Sequence, residues 1–224
     1  MENTIKHLAI IPDGNRRWAK QNDIKLADAY IYSCDQIFIF LEEILKRIDS
    51  LKELSLFFVS NENLKVRTNY DLDSLFVAGN YFLEKYLPRV NDYNIDVRWV
   101  GINHINSNEV NSNHFDDFIN NVNSCPKVNN TEKILNILIG YDVVKDINNI
   151  IMKKNCFSLN DLEVKTNIDL IIRTGGCKRL SGFLPLNCMY SEYVFVEKFF
   201  PELLVEDIFS SIDIYKNLRQ NFGK

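Results

Sequence analysis

Short apolar runs alternate along this chain with longer stretches in which apolar residues recur every three or four positions. The runs predict six strands, over residues 8–11, 54–59, 95–100, 134–139, 169–173 and 193–196. Between them, helical spacing begins at Arg16 and returns in Ile37, Phe38, Leu41, Ile44, Leu45 and Ile48, with Lys46, Arg47 and Asp49 turned outward. Further helices are predicted over 72–87, stopped by Pro88, and over 109–122, 142–152 and 201–221, with a helical turn near 161–165. Residues 23–33 and 124–130 read as loops. Strands that are apolar almost throughout, alternating with helices, predict an α/β fold: a parallel sheet covered by helices on both faces. With no internal repeat and no linker, residues 1–224 read as a single domain.

In such sheets ligands settle at the carboxyl ends of the strands, and two strands end in unusual chemistry. After the first comes Pro12-Asp13-Gly14-Asn15, then Arg16 and Arg17 at the opening of a helix. Backbone N–H groups at such a turn favour anions, and arginines add forked donors that match phosphate oxygens. Asp13 fits two roles. It is a helix N-cap, or it is a carboxylate holding a divalent cation against phosphate, for which Mg²⁺ is suited. After the fifth strand come Arg173, Thr174, Gly175 and Gly176, with Arg179 and Ser181 close behind, a second set of anion donors. Taken alone that segment is also readable as a tight turn with solvated charges. Glu192 is either a second carboxylate for the same cation or an ordinary surface glutamate. Ser60-Asn61-Glu62-Asn63 ends the second strand as a polar turn or as part of the same crevice. Several of the many phenylalanines are candidates for an apolar channel opening beside it.

Composition narrows the partners. The formal net charge of −4 argues against a general nucleic-acid binder, and no apolar run is long enough for a transmembrane segment. The N-terminus has no signal-peptide pattern. The 5 cysteines and 3 histidines show no metal-ligand spacing, which favours reduced thiols and a cytoplasmic location.

At these residues the chain resembles the cis-prenyltransferase family of the undecaprenyl diphosphate synthase type. The matching segments run in order along nearly the whole chain: HLAIIPDGNRRWAK, SNEN, VRWVG, LNILIGY, DLIIRTGGCKRLSGFL, YSEYVF and NLRQNFG. The resemblance implies a homodimeric, Mg²⁺-dependent enzyme that condenses isoprenoid diphosphates. By the same resemblance Asp13 would hold Mg²⁺ on the allylic diphosphate, with Glu192 completing the metal site. Gly14, Asn15, Arg16 and Arg17, next to Trp18, would cradle that diphosphate, Asn15 also lying near the proton to be lost. Arg173, Arg179 and Ser181, with Gly175 and Gly176, would bind the second diphosphate, and Ser60, Glu62 and Asn63 would face the same crevice.

The chain departs from the family pattern at several places. Leu26, Ala29 and Tyr30 stand where the family has an Arg and a Gly-His pair, with Lys25 one residue out of place as a substitute. Val66 replaces an arginine, with Arg67 one position late, and Cys177 replaces a glutamate. Loss of one arginine contact weakens a diphosphate site by about 1.5–3 kcal/mol. The altered loop, with Asp28 and Tyr30, resembles the irregular branch of the family, the lavandulyl and cyclolavandulyl diphosphate synthases. That implies head-to-middle coupling of dimethylallyl diphosphate. The alternatives are regular Z-selective head-to-tail extension with isopentenyl diphosphate, and a non-catalytic partner subunit, which the presence of Asp13 disfavours.

Overall fold

The computed structural model describes residues 3–126, 128, 131–152 and 158–218. Six strands form one parallel sheet: β1 (His7–Ile11), β2 (Glu53–Ser60), β3 (Ile95–Val100), β4 (Lys133–Tyr141), β5 (Leu170–Arg173) and β6 (Glu192–Phe195), in the order β3-β4-β2-β1-β5-β6. Among the described residues eight α-helices accompany it: α1 (Asn15–Gln21), α2 (Leu26–Arg47), α3 (Asn61–Val66), α4 (Asn69–Lys85), α5 (Leu87–Asp92), α6 (Phe115–Asn123), α7 (Val143–Ile151) and α8 (Val205–Asn217).

Alternation along the strands divides the core in two. Leu8, Ile10, Leu54, Leu56, Leu170 and Ile172 join the larger cluster, packed with side chains of α2, α4, α6 and α8. Ala9, Ile11, Phe57, Leu138 and Ile171 face the smaller one, closed by Val164, Ile168, Phe183, Leu184 and Cys188 from largely irregular chain and by Val143 of α7. The second face is therefore covered more by folded-over loop than by helix.

Strand succession reverses at β1. Going one way the neighbours are β2, β4 and β3; going the other they are β5 and β6. The two directions leave a crevice at the carboxyl end of β1, the place where ligands of open α/β sheets bind. Register brings Ile11 beside Arg173, so the segments that follow β1 and β5 meet there.

Local differences from the sequence reading have physical causes. Helix α2 begins at Leu26 instead of following a loop to residue 33, because Ala29, Tyr30, Ser33 and Cys34 continue its buried face. Small and polar side chains hid that face from a reading weighted to large aliphatics. Pro88 sits in the first turn of α5 rather than only ending its predecessor, the position where a missing N–H costs least. Helix α4 starts at Asn69, where the Thr68 hydroxyl accepts from the Asp71 N–H at 3.2 Å. Residues 109–114 do not join α6; Ser112 and Asn113 instead donate to the Asp73 carboxylate at 2.7 and 2.8 Å. Near residue 161 there is a 3-10 turn, Leu159–Asp161. The C-terminal helix ends at Asn217, and most of the NLRQNFG segment lies outside the described residues, as do 127, 129 and 130 of the predicted loop.

Candidate active site

The chain turns sharply after β1 because Gly14 has φ 110°, a left-handed conformation that costs glycine little. A Cβ there would lie 2.6 Å from Phe199 Cδ1, so the space is also taken. Thr174, fully buried after β5, fastens this turn to its neighbour. Its hydroxyl accepts from the Asp13 N–H at 2.9 Å and donates to the Asp13 carbonyl at 2.7 Å. The sequence pattern offers that hydroxyl to an anion; its partners are instead the backbone that carries Asp13.

The Asp13 carboxylate is the centre of the charge arrangement. Arg173 Nη2 donates to Oδ2 at 2.8 Å, and Arg17 Nη2 lies 3.4 Å from Oδ1. Burial alone would raise the Asp13 pKa, but the Arg173 hydrogen bond and charge, with Arg17 and the Gly14 N–H, outweigh it and hold the group below its ordinary 3.8. Asp13 is thus ionised at neutral pH. Arg173 itself is buried; its Nη1 donates to the Arg179 carbonyl and, at 3.0 Å, to Ser181 Oγ, while its buried Nε has no partner within the chain. Its guanidinium clamps Asp13 and the loop after β5. It does not line the open cavity as a separate anion site would require.

Both glycine amides after β5 are also occupied. The Gly175 N–H donates to the Lys198 carbonyl at 2.8 Å and that of Gly176 to Val196 at 3.2 Å. Gly175 (φ 76°) serves a different need: a Cβ would stand 2.6 Å from Arg17 Nη2, so its absence lets Arg17 reach across to Asp13.

A polar cavity of about 410 Å³ opens over these groups, lined by Asp13, Gly14, Asn15, Arg16, Arg17, Lys20, Tyr30, Arg67, Cys177 and Arg179. Arg16 reaches Asp71 at 3.2 Å, and the Arg17 guanidinium lies 4.9 Å from the centre of the Phe199 ring. Five cationic side chains around one carboxylate give a site matched to a polyanion such as a diphosphate. Pro12, Asn15, Tyr30 and Phe58 are shared with a second, apolar cavity of about 50 Å³, which continues between Cys34, Ile37, Phe76, Phe82, Trp99 and Phe118. Asn15 is buried at the junction, donating to the Pro12 carbonyl at 3.0 Å and accepting from the Ser33 hydroxyl. A charged compartment thus adjoins a hydrocarbon-lined one.

Some residues read from sequence are not brought to this junction. Ser60 caps α3 by accepting from the Asn63 N–H at 3.1 Å, Glu62 is exposed, and neither they nor Asn63 line the cavities. Trp18 stacks on Tyr32, with centroids 5.5 Å apart. Lys25 precedes α2 and is likewise absent from the lining, whereas Lys20 and Arg67 are present. Glu192 opens β6 opposite Leu170, three residues before the row of Ile11 and Arg173. Along strands that is roughly 10 Å toward the amino edge of the sheet. Within one chain Glu192 therefore does not share a cation with Asp13.

The donor set at Asp13 suits Mg²⁺ in one way: an ionised carboxylate facing a cavity of phosphate-binding character, where a substrate supplies the remaining oxygens. A second cluster, unseen in the sequence, is less suited to a metal. Ligand atoms of His104, Asp146 and Glu163 lie within 4.8 Å of one another, with His104 Nε2 3.1 Å from Glu163 Oε1. The Asp142 N–H donates to Nδ1 at 3.3 Å, which leaves the imidazole proton on Nε2. A nitrogen bearing its proton faces the carboxylates and cannot ligate.

Comparisons with known proteins bear on the family and the fold. The family model described as "Putative undecaprenyl diphosphate synthase" matches residues 11–223. The tritrans,polycis-undecaprenyl-diphosphate synthase (geranylgeranyl-diphosphate specific) of Pyrobaculum aerophilum is 32% identical, the match covering 97% of this chain and 95% of that protein. An isoprenyl transferase of Rickettsia bellii is 29% identical, with 98% of each covered. Among solved structures, lavandulyl diphosphate synthase from Lavandula x intermedia, in complex with dimethylallyl diphosphate, shares the fold with TM-score 0.79 at 19% identity, over 99% of both chains. A probable undecaprenyl diphosphate synthase from Campylobacter jejuni follows the chain with TM-score 0.72 at 25% identity, over 99% of this chain and 100% of that one.

Proposed function

From the premise that this chain belongs to the undecaprenyl diphosphate synthase family of prenyltransferases, we propose that it couples short isoprenoid diphosphates with Mg²⁺, and that the coupling is head-to-middle, between dimethylallyl diphosphate units. The observation that carries the pairing of a diphosphate with a hydrocarbon is the junction itself, where the charged cavity around Asp13 adjoins a small apolar one of about 50 Å³.

Ionising an allylic C–O bond leaves negative charge on the departing diphosphate. Arg16, Arg17, Lys20 and Arg179 meet that charge with preorganised donors and cations in a partly enclosed site. When bound at Asp13, Mg²⁺ would neutralise phosphate oxygens and favour the diphosphate as leaving group. Arg173 and Thr174 keep Asp13 aimed; neither needs to touch substrate. The apolar walls exclude water from the allylic cation, and the Asn15 amide, buried at the boundary, lines both cavities. Exposed Met189, Tyr190 and Tyr193, near and on the edge strand β6, support a homodimer formed along that edge.

A second reading, head-to-tail extension by isopentenyl diphosphate, is favoured by the names of the sequence relatives. The regiochemical preference for coupling of dimethylallyl units rests on Leu26, Ala29 and Tyr30 in place of the usual loop. Purified protein given dimethylallyl diphosphate alone, with Mg²⁺, separates them. A branched or cyclic ten-carbon diphosphate is expected; turnover seen only after isopentenyl diphosphate is added would establish the regular reaction instead.

A further inference from the structure

Two buried polar side chains meet where α1 packs on α2. Asn15 opens α1, Ser33 lies two turns into α2, and they are 8% and 4% exposed. Ser33 also lines the apolar cavity, whose walls are otherwise mostly hydrocarbon. Its hydroxyl lies within hydrogen-bonding distance of two acceptors, Asn15 Oδ1 and, at 3.0 Å, the Ala29 carbonyl. It has one hydrogen to give. The Ala29 carbonyl already accepts the Ser33 N–H along the helix. Asn15 Oδ1 has no other donor among the described residues, so the hydroxyl hydrogen belongs there. The Asn15 amide nitrogen gives one hydrogen to the Pro12 carbonyl at 3.0 Å, and its second meets no acceptor among the described residues. An amide fixed in this way has its oxygen spent inside the protein. One N–H is left over, on a residue that lines both the charged and the apolar cavity.

We propose that Ser33 is a positioning residue, which turns the Asn15 amide so that it serves the bond-breaking step as a donor and not as a proton acceptor. The inference rests on the diphosphate reading above and gives the amide a direction. With the diphosphate in one compartment and the hydrocarbon in the other, the oxygen that joins phosphorus to the allylic carbon stands at their boundary. Breaking that C–O bond sends its electron pair to this oxygen. The free Asn15 N–H therefore bonds it more strongly as the break proceeds, a gain made in the transition state and not in the ground state. The π pair of the second unit forms the new C–C bond. The C–H pair left behind then restores a double bond, as its proton passes to an oxygen of the diphosphate just released. The Asn15 carbonyl, the end of the amide able to accept, faces Ser33 and takes no part in that transfer.

Coupling assays with dimethylallyl and isopentenyl diphosphates both supplied, and Mg²⁺ present, test this whichever way the units are joined. Ser33→Ala leaves the amide free to turn and is expected to lower kcat about tenfold, with KM within about twofold of wild type. Ser33→Thr keeps the hydroxyl and should recover most of that loss. In an Asn15→Ala background, Ser33→Ala should change kcat by less than about twofold, because a positioning residue acts only through the group it holds. Asn15→Asp, assayed at pH 8 where its carboxylate cannot donate, should lose kcat by about a hundredfold. An Asn15→Asp turnover equal to or above that of wild type would make Asn15 a proton acceptor and overturn the assignment. So would a Ser33→Ala kcat within twofold of wild type, or a loss of the same size with and without Asn15, the mark of a merely structural serine. Wild-type protein that couples neither substrate would overturn the diphosphate reading itself, and the assignment with it. Should Asn15→Ala fail to fold, the two Ser33 variants and Asn15→Asp, all near the native volume, decide the matter.

Discussion

Replacing Asp13 separates its contact with Arg173 from the metal-holding role proposed for it. The Arg173 side chain is 5% exposed and that of Asp13 31%. Breaking a fully buried pair costs about 3–5 kcal/mol, because the surviving charge is left uncompensated. Here water can reach the Asp13 side, and Arg173 retains the Arg179 carbonyl and Ser181, so Asp13→Ala should cost about 2–3 kcal/mol. For a chain of this size that lowers Tm by roughly 5–10 °C. Asp13→Asn keeps an oxygen acceptor for Arg173 and should cost about 1 kcal/mol, since a neutral acceptor is worth about half a charged one. Both variants should lose turnover by about two to three orders of magnitude, as removal of one preorganised transition-state contact does. The discriminating measurement is pyrophosphate affinity. Without Mg²⁺, Asp13 repels the ligand, so Asp13→Asn should bind it more tightly than wild type; with Mg²⁺ the order should reverse. An Asn variant with turnover within threefold of wild type, or one that shows no reversal, would reduce Asp13 to a structural clamp and refute its role as metal ligand.

Three further outcomes follow from particular contacts. Thr174→Val removes both hydrogen bonds to the Asp13 backbone and should lower turnover about tenfold, with a stability loss of about 1–2 kcal/mol, while Thr174→Ser restores both; kinetics and thermal melts on the two variants check this. Burial lowers the His7 pKa below 6.5 against the opposing pull of Glu53 and Asp169. The unfolded chain then binds the proton more readily, so this contribution to stability is present above pH 6.5 and lost as the pH falls below it. Chemical denaturation across that range should show the slope in wild type and not in His7→Gln. Phe118 closes the apolar cavity against Phe76 and Trp99. Phe118→Leu should cost about 1–2 kcal/mol and, with dimethylallyl and isopentenyl diphosphates both supplied, shift chromatographically resolved products toward longer chains.

The parallel sheet was legible because each strand is a near-continuous apolar run, and parallel burial demands that pattern. The position of the candidate site was legible too, since proline, glycine, aspartate and arginine at a strand tip are hard to explain by packing alone. What sequence could not supply was the division of labour among those polar groups. Thr174 and the two glycine amides read as anion donors, but their partners lie inside the protein, and Arg173 spends both its terminal nitrogens there too, a matter of which partner is nearest across neighbouring strands. Glu192 reads as a companion for Asp13, but within one chain strand register puts it at the amino edge of the sheet. In the other direction, Arg67 looked displaced, yet the extended residue after α3 turns it back toward the cavity. The His104, Asp146 and Glu163 cluster left no signal, because its members come from three segments with unrelated spacing.

The hydrogen bond between Arg173 and Asp13 joins residues 160 positions apart. A ribosome delivers the opening turn early, yet the acid there has no guanidinium beside it until the fifth strand has emerged and docked on the first. The pair is therefore completed only after the fifth strand has emerged, however well the first strands have formed. A nascent polypeptide halted before Arg173 carries the most recognisable stretch of the sequence without the guanidinium that clamps its acid.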